Sequence, residues 1–225
     1  MPTKNNNVTK LYMLLGVLFT TCLLISNIVA NRMFQIGPWS MTAAVVVFPL
    51  SYIISDVIAE VYGFKAARSV MWFGFAMNAL MVLLFAFVNL LPAPVWFEDA
   101  KSYKIVLGSA PRMFIASMLA YLFGSWINAM VLSKMKVKAE GKGFGLRAII
   151  STLFGETVDS LIFIPIGFLG KLPFVDMLQM MILQIVFKTV YEIIILPVTT
   201  FVVKKVKAYD QVDTIDYDES YGLFG

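Results

Sequence analysis

Six ionisable side chains fall inside long apolar stretches in three couplets: Asp56 with Glu60, Glu156 with Asp159, and Lys188 with Glu192. Spacings of three or four residues put both members of a couplet on one face of a helix, one turn apart. On insertion scales each such charge costs roughly 2.5–3.5 kcal/mol at a membrane-helix centre, so six of them need partners, water or a ligand. The chemistry open to them is capture of a polar or cationic solute, carriage of a proton, or pairing that only holds helices together. Neighbouring polar residues lengthen the couplets into stripes: Thr152, Glu156, Asp159 and Phe163; Gln184, Lys188, Tyr191 and Glu192; Ser117, Tyr121, Ser125 and Asn128; with Asn27 and Asn31 closing the first apolar run. A lipid-facing carboxylate has no partner, so the stripes are expected to face inward and outline a polar cavity.

The elements that must carry these stripes follow from composition. Hydrophobic residues make up 60% of the chain, charged residues 14%, and the mean hydropathy is +0.82, far from the balance of a soluble domain. Six segments reach the length of about 20 residues that a membrane span requires: 11–30, 41–61, 70–91, 113–132, 148–169 and 177–203. Uninterrupted runs of this kind predict helices, hence an all-α integral membrane protein. The first run lacks a small-residue cleavage site and keeps Asn27 near its end, so it reads as a retained helix. Lys and Arg number twelve on the side of the N-terminal tail and five on the other, Lys188 lying between. That asymmetry places both termini in the cytoplasm and puts Trp39, Trp96 and Phe97 at the outer interface.

The same count explains the net charge of +4. The basic residues flank span ends instead of forming a stripe, so no nucleic-acid partner is implied. With no histidine in the chain, His-based triads, zinc sites and haem ligation are excluded, and Asp56 and Asp159 lack the loop setting of an aspartyl dyad. No enzyme is expected, no metal site and no cofactor. Cys22 stands alone within a span and reads as packing. Gly141, Gly143 and Gly145 follow no strand and precede no Gly-Lys-Ser/Thr ending, so they read as a turn and not a phosphate cradle. Ala116, Ala120 and Gly124 have the spacing that lets another helix approach closely. The chain divides into an N-terminal tail (1–10), a membrane domain (11–207) and an acidic tail (208–225) expected to be solvated and disordered.

Depth separates the couplets. Glu156 and Asp159, and likewise Lys188 and Glu192, fall near the middle of their spans, where the four could meet, with Glu192 holding Lys188 from one turn away. Asp56 and Glu60 come at the end of theirs, making Asp56 a cavity-floor or gating group and Glu60 an interfacial residue.

Several strings carry a resemblance: Ser26-Asn27-Ile28; Pro49 with the run Asp56 to Gly63; Ala67-Arg68; the run Ser151 to Ser160; and Phe187-Lys188 through Pro197. Together they resemble the queuosine precursor transporter family over nearly the whole chain. The resemblance implies a six-helix bundle like the substrate-binding subunits of energy-coupling-factor vitamin transporters, acting without a dedicated ATPase. The implied substrates are 7-deazaguanine bases, in cyano and aminomethyl forms, and the queuine base. Where many relatives have Gln and Asp, this chain has Ser125 and Asn128, and Glu156 stands where they have Gln or Asn.

A guanine-like edge suits these residues. Its ring N–H and amino group are adjacent donors that a carboxylate accepts together, and its carbonyl accepts from Lys or Asn. Glu156 or Asp159 would take the first role and Lys188, steadied by Glu192, the second. Asn128, Ser125, Asn27 and Asp56 complete the polar lining, while Tyr191 or Phe163 offers a stacking surface. The alternatives are a substrate-binding subunit that needs an energising ATPase module, and a cation channel or structural membrane protein in which the acids conduct or merely pair.

Overall fold

The structure is a computed structural model of the chain and describes residues 9–30, 32–37, 39–108, 111–170, 172–217 and 220–223. Asn31, Lys4, Lys171, Asp218 and Glu219, which entered the sequence reading, lie outside the described residues. Six long helices dominate: α1 (Lys10–Val29), α2 (Ala44–Tyr62), α3 (Phe64–Leu90), α5 (Pro111–Lys138), α6 (Phe144–Phe168) and α7 (Phe174–Asp210). Each is long and apolar enough to cross a membrane, so this is a multi-pass, all-α membrane protein. A short α4 (Ala100–Gly108) lies between α3 and α5.

A hairpin absent from the sequence reading joins α1 to α2. Strands β1 (Met33–Ile36) and β2 (Trp39–Thr42) pair antiparallel, with Met33 opposite Thr42 and Ile36 opposite Trp39. Met41 and Thr42 had been expected at the start of the second span. Their backbone groups pair with β1 instead, and α2 begins at Ala44. At the other extreme α7 runs 37 residues, about 55 Å at 1.5 Å per residue. That exceeds a hydrocarbon core of roughly 30 Å, so its final turns project beyond the apolar layer.

α2 is the hub, packed against α1, α3, α5 and α7. It buries polar groups as well as apolar ones: Ser51, Ser55, Asp56 and Glu60 are all enclosed. α5 and α6 approach most closely where Gly124 meets Gly155. A Cβ on Gly155 would stand 2.8 Å from the Asn128 Cβ and 2.9 Å from the Gly124 carbonyl oxygen. The small-residue stripe of α5 therefore does serve helix approach, and Ala116 and Ala120 continue it into an apolar cluster with Phe163, Ile164, Met177, Met180 and Met181.

The segment after α7 differs from the solvated end expected of it. Its residues 211–217 and 220–223 fold back along α2, α3 and α5. The Asp216 carboxylate accepts from the Phe64 N–H at 2.9 Å and from the Ser133 hydroxyl, and Thr214 N–H donates to the Val61 carbonyl at 3.0 Å. Trp126 and Trp72 donate to the carbonyls of Tyr221 and Leu223, both at 3.0 Å, and Arg68 donates to that of Gly222 at 2.6 Å. The acidic composition misleads because buried donors at the helix ends await those carboxylates. Gly63 makes the docking possible: it turns between α2 and α3 at φ +88°, and a Cβ there would fall 2.6 Å from Asp216 Oδ1.

Candidate functional site

The inward face of α2 presents Phe48, Tyr52, Asp56 and Glu60 at successive intervals of four residues, a ladder of about 18 Å. Three polar layers stand on it. They occupy the hairpin end, the middle and the far end of the bundle.

The first layer is a cavity of ≈ 30 Å³ toward the hairpin. Ser26 and Asn27 of α1, Thr42 of β2, Phe48 of α2, Ser117 of α5, Asp159 and Phe163 of α6, and Gln184 and Lys188 of α7 are the residues that give it its chemistry. Lys188 Nζ donates to Glu156 Oε2 at 2.5 Å and to Asp159 Oδ2 at 2.9 Å, and it lies 4.6 Å from the centroid of the Phe48 ring. All three charged groups are at most 5% exposed. An ammonium shared by two carboxylates keeps each ion partnered out of water, but one negative charge remains in surplus. Opposite, the Ser117 hydroxyl donates to Asn27 Oδ1, and Asn27 Nδ2 donates to the Leu23 carbonyl at 3.2 Å.

In the middle layer Asn128 donates to Asp56 Oδ1 at 2.5 Å. Both oxygens of Glu192, Asp56 Oδ2, Asn128 Oδ1 and Thr152 Oγ1 are buried without a hydrogen-bond partner. Glu192 of α7 faces Asp56 of α2 in this layer. Ser125 is buried nearby, beside Tyr52 and Tyr121.

The third layer overturns the reading of Glu60 as an interfacial residue. Its side chain is fully buried. Arg147 grips it bidentately at 2.7 and 3.0 Å, Lys207 donates at 2.8 Å, and Lys136 Nζ stands 3.7 Å away. Lys136 also donates to the Glu60 and Thr214 carbonyls and to Asp213 Oδ1, and Lys207 lies 3.0 Å from Asp213. Against the upward push of its partial burial, the two ammonium groups hold the Asp213 carboxyl below the usual carboxylate range.

Of the residues proposed from sequence, Glu156, Asp159 and Lys188 meet as expected, and Asn27 and Phe163 share their cavity. Glu192 does not hold Lys188, whose carboxylate partners among the described residues are Glu156 and Asp159 of α6; it belongs instead to the layer of Asp56 and Asn128. Tyr191 is half-buried and outside the cavity lining. Phe48, Thr42 and Ser26 were not singled out for the site from the sequence. Phe48 sits in an apolar run that conceals an aromatic wall, whereas Ser117 and Gln184 already stood in the polar stripes.

A buried charged cavity among six helices long and apolar enough to cross a membrane is what a polytopic transport protein requires. The chain belongs to the family described as "Putative vitamin uptake transporter", whose model matches residues 42–202. It is also 26% identical over 179 residues to a "Probable queuosine precursor transporter" of Bacillus subtilis (strain 168), covering 76% of each chain. No solved structure matches it.

Proposed function

We propose that the protein is a carrier for 7-deazaguanine bases, the precursors of queuosine, and that it binds them in the cavity around Lys188. The observation that carries this is one ammonium held between two buried carboxylates at a cavity also lined by amides and two phenyl rings. Asp159 accepts the adjacent donors of the guanine-like edge, Lys188 with Asn27 or Gln184 donates to its carbonyl, and Phe48 and Phe163 cover its faces. The surplus negative charge favours an aminomethyl substituent, which is cationic. The name of the Bacillus subtilis relative supports the same substrate class.

A cavity of ≈ 30 Å³ holds a water or two, whereas small-molecule sites run to about 300 Å³ or more. Binding therefore requires α1, the hairpin and the start of α2 to part from α6 and α7. The Glu60 network closes the opposite end meanwhile, as alternating access demands. With the termini cytoplasmic, as the charge asymmetry predicts, the parting side faces outward.

Thermal stabilisation of the purified protein by 7-cyano- and 7-aminomethyl-7-deazaguanine, with guanine as control, tests the reading. Both precursors should stabilise the wild type. Asp159→Asn should lose the effect while remaining folded; equal stabilisation of wild type and variant would remove the site. Uptake by cells lacking any energising ATPase module separates a solitary carrier from a subunit.

A further inference from the structure

Asp56 and Glu192 remain once the cavity residues and the Glu60 network have been given their roles. Neither lines the cavity. Glu192 is 1% exposed and Asp56 0%, and three of their four carboxylate oxygens have no hydrogen-bond partner. Two ionised carboxylates cannot remain in such a place, because burial of an uncompensated charge costs far more than taking up a proton. Among the described residues, the groups around them offer no compensating cation. α5 presents the neutral Asn128 and α6 the hydroxyl of Thr152. Of the charged groups, Glu156 on α6 is already partnered by Lys188 of α7, and Glu60 on α2 by Arg147, Lys136 and Lys207.

We infer that Asp56 and Glu192 form a proton-binding pair, sharing one exchangeable proton whose movement is coupled to that of the bound base. The inference rests on the carrier reading above. A proton is favoured over a metal ion because no group of three or more acidic or thiol ligands able to hold one occurs among the described residues. The step balances simply: one proton leaves the water on the side from which the base enters, resides on a carboxyl oxygen, and is returned to the water on the other side. The coupling is mechanical. Glu192 follows Lys188 by one turn of α7, and Asp56 precedes Glu60 by one turn of α2. The shift of α7 against α2 that opens the cavity to the entry side therefore also exposes the carboxyl pair there to take up its proton, and the opposite movement, which opens the other side, separates the carboxylates and releases the proton they share.

Two measurements test this on the full chain in liposomes. Infrared titration should show a protonated carboxyl in the wild type that is missing from the Asp56→Asn/Glu192→Gln double variant; identical titrations would overturn the inference. A pH gradient, acid on the entry side, should drive accumulation of labelled base by the wild type at about tenfold per pH unit for one proton per base. Glu192→Gln should lose that accumulation yet still exchange base when no gradient is imposed. Gradient-driven accumulation retained by Glu192→Gln, or accumulation driven by sodium at equal pH, would equally overturn it. If the wild type neither binds nor exchanges the base, the carrier reading falls, and the infrared comparison still decides whether the pair holds a proton.

Discussion

The cluster around Lys188 and the cluster around Glu60 are built on the same helices α2, α6 and α7 and are both buried, but they carry opposite surpluses. Around Lys188 two carboxylates share one cation, and two further acids lie a layer away. Around Glu60, the cations Arg147, Lys136 and Lys207 outnumber Glu60 and Asp213. The difference decides what each can do when disturbed. Carboxylates left alone in a low dielectric take up protons and become neutral, whereas a guanidinium cannot be discharged. An acid-rich layer can therefore exchange partners with solutes and protons, and an arginine-centred one must stay paired for as long as it is out of water. The first is suited to binding and the second to sealing.

The sharpest way to break this contrast is Glu60→Gln. It leaves Arg147 buried without its carboxylate, and breaking a buried pair costs about 3–5 kcal/mol; thermal unfolding in detergent should show the largest loss of any single substitution discussed here. Lys188→Met is the matching change in the acid-rich cluster. Glu156 and Asp159 neutralise by protonation, so stability should fall by less than in Glu60→Gln, while uptake of labelled base should disappear. An equal loss of stability in both would mean the clusters do not differ as described. Gly155→Ala probes the scaffold they share. Its Cβ meets backbone and Asn128 at under 3 Å, and overpacking of this kind costs roughly 1–3 kcal/mol; unfolding should register that cost and uptake should weaken as α5 is pushed from α6.

The smallest effect belongs to Asp213→Asn. Its carboxyl is half-exposed, so the pairing contributes at most about 1 kcal/mol. Because the folded-state value is depressed below the ordinary 3.8, that contribution is present above about pH 4 and fades as pH falls through the folded-state value. The gap in melting temperature between wild type and Asp213→Asn should be constant near neutrality and close in acid.

How far the sequence foretold this arrangement depends on whether a signal was periodic. The six spans follow from apolar length, and the stripes that bring Glu156, Asp159 and Lys188 together follow from helical spacing. Pairing between helices has no such signal. Arg147 and Lys136 look like ordinary basic residues at span ends, and only their approach to Glu60 shows that they seal the bundle. Glu192 is one turn from Lys188, yet its side chain serves another layer because α2 packs on that side. Gly155, next to Glu156 in the chain, fixes the depth of α6 against α5, and a lone glycine in a helix does not announce which neighbour it admits.

The Thr9 hydroxyl and the Tyr62 hydroxyl both donate to Asp210 Oδ2 at 2.5 Å, joining the starts and ends of helices 201 positions apart in the chain. During biosynthesis the first helix enters the membrane long before Asp210 leaves the ribosome. Asp213 and Asp216, which complete the contacts to α5 and α3, emerge later still. The bundle is thus locked only after every span has been inserted, and until then its helices are held by packing and by contacts among the earlier spans, such as Arg147 with Glu60 and Asn128 with Asp56. A reporter fused after residue 223 would be made beside this lock, and its linker must leave the contacts of Trp72 and Trp126 undisturbed for the assembled protein to close.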